Sequence, residues 1–335
     1  MNAAAKPARF ADLEQCVDEI LRRVGKRIVC GTPLGIGKPN ALINALYRRA
    51  QADASLDLEL ITALSLNPPR GKSELEERFL KPVRARVWGD YPALTMIEDR
   101  ARGALPPNVR VCEFYMQSGT ALHNAHAQQN HICTNYSQVA RDLMARGVNL
   151  LLQAVSVRPD HGSFPLSLSS NPDVTLQLLA ELAAEGGTCL RVAQINRKLP
   201  WIGRSASVAE DTFDLLLDSP ALDHEPFCVP HEPVDVTAWA IGLRASAFVK
   251  DGGTLQVGIG TLGDAVCYAL SLRQSQGARY RELLDALGRD PAARGGPADG
   301  PEPRRPARRA RARAHPGPRR RASAASSVTA QPAHN

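Results

Sequence analysis

Two glycine-rich turns, a trio of histidines and a few acidic residues are where this chain's residue types and spacing could do chemistry. A short apolar run from Thr254 to Val257 meets Gly258-Ile259-Gly260 and then a helical pattern from Asp264 to Leu270. Glycines at a strand-to-helix turn let the backbone approach a ligand closely, because no Cβ stands in the way. The helix start behind them offers unpaired N–H groups to an anion or an oxyanion. A second turn, Gly35-Ile36-Gly37-Lys38, invites comparison with the phosphate-cradling loop of nucleoside triphosphatases. It fails that comparison: Gly31 to Gly37 is one residue too long, and Pro39 stands where a magnesium-binding hydroxyl is needed. His123, His126 and His131 have no acid among them and match no familiar ligand spacing, so locally hydrogen-bonded loop histidines are expected and no metal. Asp160-His161 has the types of an acid/base pair, but Asp160 and Gly162 together read as a turn.

The elements that must position these residues alternate. Phe10, Leu13, Cys16, Val17, Ile20, Leu21 and Val24 form one helical stripe closed by Gly25. A buried strand from Arg27 to Cys30 leads through GTPLGIGKPN to a helix over 41–50, and Leu56 to Leu66 is the next strand. Ser73 and Glu76 form a capping box. Arg110 to Tyr115 is a further strand, and Val148 to Ser156 is apolar enough to be covered on both faces, as parallel sheets require. A helix opening at Asn171-Pro172-Asp173 and ending at Gly186-Gly187 precedes a strand from Cys189 to Ile195. Asp211 to Asp218 supplies the last segment of the first domain. Such alternation predicts an α/β protein with mostly parallel sheets. A proline-rich linker over 218–235, with His224 and His231 in solvent, precedes a helix from Val236 to Phe248 and one from Tyr280 to Leu287.

Composition narrows the setting. Residues 295–335 hold nine of the 41 basic residues and two of the 34 acids, Asp299 and Glu302. Residues 1–294 therefore carry 32 of each sign, and the basic character belongs to the tail. Seven scattered cysteines (16, 30, 112, 133, 189, 228 and 267) have no CxxC spacing, which suits a reducing, cytoplasmic setting rather than a disulfide framework or zinc ribbon. No apolar run spans a bilayer and no signal segment opens the chain, so no membrane partner is expected.

The stretch DGGTLQVGIGTLGDAV (251–266) resembles the second-domain signature of the acetyl-CoA hydrolase/transferase family, the class I-like coenzyme A transferases. Looser likeness runs through 30–39, through 117–166 with Val155, Ser156, Asp160, Gly162 and Leu166 in the family's order, and through 189–205 with Gln194-Ile195-Asn196. The resemblance implies tandem CoA-transferase-like domains of the NagB/RpiA type, the second incomplete: 1–217, the linker, then 236–294. It implies an acyl-CoA and a small carboxylic acid as substrates, acetate metabolism, no prosthetic group and a homodimer. Gly258, Ile259, Gly260, Thr261 and Leu262 would bind the CoA side. In the family a glutamate attacks the thioester, an acyl-glutamyl anhydride forms, and the released thiolate converts it to a glutamyl-CoA thioester; backbone donors stabilise the oxyanions. That glutamate follows the glycine turn in wording like Ser-Glu-Met-Phe, which this chain lacks. Glu282 is at a plausible distance in the wrong surroundings and Glu302 lies in the tail, so no catalytic residue is assigned. The alternative to an enzyme is a catalytically inactive CoA-binding remnant.

Residues 295–335 contain no Ile, Leu, Met, Phe, Trp or Tyr and are expected to be disordered. They read as a nucleic-acid or membrane arm, as a plain solvated tail, or as GC-rich DNA translated in a shifted frame. The third is preferred, because the second domain stops in mid-fold.

Overall fold

Asp12 and Gly25 show how local chemistry sets the first elements. The Asp12 carboxylate accepts the Gln15 N–H at 2.8 Å, and Gly25, at φ 83°, ends the helix. The computed structural model describes residues 6–158, 165–228 and 232–288. The chain divides into two units, Met1–Cys228 and Val229–Asn335.

The first unit runs β1 (Ala8–Phe10), α1 (Leu13–Val24), β2 (Arg27–Leu34), α2 (Asn40–Ala52), β3 (Asp57–Ala63), α3 (Glu74–Val87), α4 (Thr95–Arg102) and β4 (Val109–Glu113). It continues through α5 (Ala125–Gln129), α6 (Val139–Ala145), β5 (Leu150–Val155), β6 (Leu166–Ser167), α7 (Asp173–Glu185), β7 (Leu190–Ile195), β8 (Ser207–Val208) and β9 (Leu215–Leu217). Seven strands form one parallel sheet in the order β1-β9-β7-β5-β2-β3-β4, and β6 pairs antiparallel with β8.

Period-two alternation decides which side chain faces which layer. Ile28, Cys30, Leu58, Leu60, Leu150 and Leu152 pack against Val17 and Ile20 of α1, Leu42 and Leu46 of α2 and Met96 of α4. Val29, Ile61, Cys112 and Leu151 pack on the opposite face against Leu143 of α6 and Val174 and Leu178 of α7. Each such fully buried aliphatic side chain contributes about 1.5–3 kcal/mol. This is the predicted α/β class.

Three local expectations change. β2 extends to Leu34, so Gly31-Thr32-Pro33-Leu34 belongs to the strand and not to the turn. Gly31 makes room there, since a Cβ would lie 3.1 Å from Leu143 of α6. Phe10 belongs to β1, which forms only by pairing with β9. His224 is buried and not solvated: its Nδ1 lies 3.0 Å from the Leu222 carbonyl and its ring meets Tyr91 edge-on. Residues 220–228 thus pack with the first unit, while His231 lies outside the described residues, as do Asp160, His161, Gly162, the 295–335 tail and Glu302.

The second unit contains α8 (Val236–Phe248), α9 (Thr261–Ser275) and α10 (Gly277–Gly288). Gly242 of α8 fits tightly on α9, where a Cβ would come 2.7 Å from the Ala265 backbone. The Ser246 and Tyr280 hydroxyls meet at 2.8 Å, and Arg273 donates to the Ser246 and Val249 carbonyls at 2.6 and 2.9 Å, holding the end of α8. The expected strand over 254–257 does not form: those residues are irregular and exposed. A strand needs a hydrogen-bonded neighbour, and residues 232–288 supply none. No helix among the described residues is long and apolar enough to cross a membrane.

Candidate functional site

The glycine turn keeps the features that suit a ligand even without its strand. Gly260 precedes α9 at φ 131°, a conformation that disfavours side chains, and a Cβ on Gly258 or Gly260 would meet nothing within 4 Å. Ile259 is 88% exposed. The turn is held by Gly263, where a Cβ would fall 2.2 Å from the Gly258 carbonyl oxygen. The open glycines and the closely packed one therefore have different roles: the first two leave space, the third lets the turn fold onto the helix start. Asp264 donates its backbone N–H to the Gly260 carbonyl at 3.0 Å, closing the first turn of α9. Glu282 lies on α10 with its side chain 65% exposed, 3.1 Å from Arg279.

In the first unit, β2, β3 and β4 follow one another outward in one direction, whereas β5, β7 and β9 lie the other way. Ligands of open α/β sheets gather at the carboxyl edge near such a reversal, here between β2 and β5. The Gly35–Lys38 turn leaves β2 at this edge, and its lysine is committed to the fold. Lys38 is 1% exposed; its Nζ donates to the carbonyls of Ala63 and Leu64, the latter at 3.0 Å, where Leu64 sits at φ 45°. Burial lowers its pKa to about 7, while the negative charge of Glu113 works in the opposite direction. Glu113 is itself buried, 2.7 Å from Arg100, and accepts the Ser65 N–H at 3.1 Å. Gly37 is required by packing, with Asn171 Cβ 2.7 Å from where its own would be.

Two of the three histidines engage backbone, and His123 is exposed. His126 Nε2 accepts the Val111 N–H at 3.2 Å, with its pKa lowered by burial and by the charge of Arg100, and His131 Nδ1 lies 3.0 Å from the Glu113 carbonyl. Among the described residues no group of three His, Cys, Asp or Glu side chains could hold a metal. Ser156 and Leu166 are buried, and Ser156 bridges Ser167 as the return strand begins. Gln194 and Asn196 are buried at the end of β7, with the Asn196 amide donating to the His224 carbonyl at 2.9 Å.

Sequence reasoning missed a cavity of about 320 Å³ beyond the carboxyl ends of β5, β7, β9 and β1, lined by Arg9, Val157, Arg158, Ile195, Arg197, Glu210 and Asp218. Arg9 pairs with Glu210 at 2.5 Å and with Asp218 at 3.4 Å; Arg197 pairs with Asp218 at 2.5 Å and Asp223 at 3.4 Å. Arg158 differs: its guanidinium lies 4.4 Å over the Trp201 ring. The lining comes from five separate stretches of chain, so only the parallel register brings it together.

No family model and no curated protein matches the sequence. Among solved structures the chain is similar to RipA from Yersinia pestis, at 17% identity and a TM-score of 0.52, over 78% of this chain and 53% of that one. Lower scores relate it to a 4-hydroxybutyrate CoA-transferase from Porphyromonas gingivalis (14% identity, TM-score 0.44, 78% of this chain and 51% of that one). An assigned alpha subunit of citrate lyase from Streptococcus mutans, in complex with citrate, gives 10% identity and 0.48, over 85% of this chain and 55% of that one. The chain spans about half the length of the solved structures it matches. At 17% identity the likeness to RipA is one of fold.

Proposed function

We propose that the chain is a CoA-transferase-type polypeptide that holds the CoA portion of an acyl-CoA at Gly258, Ile259, Gly260, Thr261 and Leu262, with a small carboxylic acid as the second substrate of the complete reaction. The observation that carries this reading is the open pair Gly258 and Gly260 at the start of α9, set in the 251–266 wording of the acetyl-CoA hydrolase/transferase family. A helix start framed by glycines can accept an anionic group or an oxyanion on its free N–H groups.

A second reading, CoA binding without turnover, is favoured by Glu282. Its side chain is largely in solvent and engaged with Arg279, so nothing raises its nucleophilicity or desolvates it. Titration of CoA into the purified chain, paired with a thiol-release assay on acetyl-CoA, separates the two. Saturable binding without thiol release is the expected outcome. Turnover that disappears in Glu282→Ala would restore Glu282 as the nucleophile, and failure to bind CoA would overturn the assignment of the turn.

Gly263→Ala supplies the local test. Its methyl group would fall 2.2 Å from the Gly258 carbonyl, so the turn must move off the helix start. CoA affinity is expected to drop by about tenfold or more, the equivalent of one lost charge-assisted hydrogen bond. Unchanged affinity would remove the turn from the binding site.

A further inference from the structure

The cavity at the carboxyl ends of β5, β7, β9 and β1 contains three arginines and two acids, and the charges are not evenly matched. Glu210 and Asp218 serve Arg9 and Arg197, and Asp223 adds a further contact to Arg197. Arg158 has no carboxylate partner among the described residues. It is held by the face of Trp201, which orients a guanidinium without neutralising it. Between these groups the wall is aliphatic, from Val157 and Ile195. A planar fork of N–H donors beside an apolar surface matches an oxyanion attached to a short hydrocarbon body. The volume, about 320 Å³, is at the lower end of small-molecule pockets.

We propose that this cavity is a binding site for a small organic anion, with Arg158 as the residue that grips the anionic head and Val157 and Ile195 receiving the apolar body. The Glu210–Arg9–Asp218–Arg197 chain of ion pairs lines the same cavity. It sets two carboxylates beside its two cations, so a second negative charge on the ligand would be met less favourably than the first. The carboxylate of an organic acid and the phosphate of a monoester share the head-group chemistry that Arg158 recognises. The site is built wholly within the first unit and does not depend on the glycine turn of the second.

Calorimetric titration of the full chain with benzoate, phenyl phosphate and neutral benzamide tests the proposal. Benzoate or phenyl phosphate should bind and benzamide should not; whichever anion binds more tightly identifies the source of the head group. Arg158→Gln should weaken anion binding by about tenfold, as loss of a charged hydrogen bond does, and Arg158→Lys should keep part of it. Arg22→Gln, on an exposed arginine of α1 paired with Glu19, should bind as the parent does. Gly263→Ala should likewise leave benzoate binding intact, so failure of the glycine turn and failure of this cavity are read separately. Equal binding of benzamide and benzoate, no binding of either anion, or unchanged affinity in Arg158→Gln would each overturn the proposal. The amide comparison uses the unaltered protein and holds even if a variant misfolds.

Discussion

Glu113→Ala is expected to destabilise the first unit by about 3–5 kcal/mol, the usual cost of removing one partner of a buried ion pair. Glu113 is 1% exposed and Arg100 is 8% exposed, with Nη1 and Oε2 2.7 Å apart. The other carboxylate oxygen accepts the Ser65 N–H. Truncation would leave a buried guanidinium without its counter-charge and the half-buried Ser65 amide without its acceptor. It would also remove the negative charge that favours the ammonium of Lys38. Glu282→Ala is the contrast: its pair with Arg279 is exposed on both sides, where screening leaves little net attraction. Urea denaturation of both variants beside the parent measures the difference. A midpoint in Glu113→Ala close to that of Glu282→Ala would mean the carboxylate and its partners are better hydrated than their burial indicates.

Stability is also expected to rise with pH above neutrality, by about 1.4 kcal/mol per unit over the range governed by Lys38. The sign follows from proton binding. Unfolded, this lysine titrates near the usual 10.5; folded, burial holds it at about 7. Between those values the unfolded chain carries a proton that the folded chain does not, so raising the pH favours folding. Buried thiols act in the other direction at higher pH. Burial raises Cys16 and Cys189 to about 12 and Cys112 to about 11, against 9.0 unfolded. Above about pH 9 only the unfolded thiols ionise, and stability falls again. A maximum between pH 8 and 9 is therefore expected in denaturation midpoints. Lys38→Met should lose the rise between pH 7 and 8.5, whatever its absolute stability. A flat profile in the parent, or the same slope in the variant, would show that the Lys38 ammonium remains protonated inside the fold.

The elements legible in the sequence share a property: the interactions that define them are close in the chain. Ser73 accepting from the Glu76 N–H, Asp235 accepting from the Ala238 N–H, and Gly25 and Gly186 ending their helices are all contacts within a few residues. The helix over 236–248 has the bounds its pattern predicts. The apolar run at 148–156 was readable for another reason, since a strand buried on both faces has no polar position to confuse the pattern. At the candidate site, the openness of Gly258 and Gly260 was visible in residue type alone, and so was the failure of Gly35–Lys38 as a nucleotide loop.

Pairing at a distance was not readable. β1 is three residues long and exists because Ala8–Phe10 finds Leu215–Leu217 of β9, more than two hundred residues away, while β9 is itself held on its other side by β7. The 254–257 stretch has strand-forming residues but no neighbour to pair with among 232–288, so its pattern has no structural effect there. The tertiary fold alone made Lys38 an internal donor to Ala63 and Leu64, buried His224 against Tyr91, and gathered Arg9, Arg158 and Arg197 around one cavity. By itself the sequence determined the α/β class, the helices with clear caps or apolar stripes and the glycine turn, because capping, periodicity and backbone freedom are local. The short helices α4, α5 and α6 are too brief to show such a stripe. Sheet order, buried charge and the arginine cavity were decided by the folded chain, because hydrogen-bond partners, desolvation and charge balance depend on residues brought together only by folding.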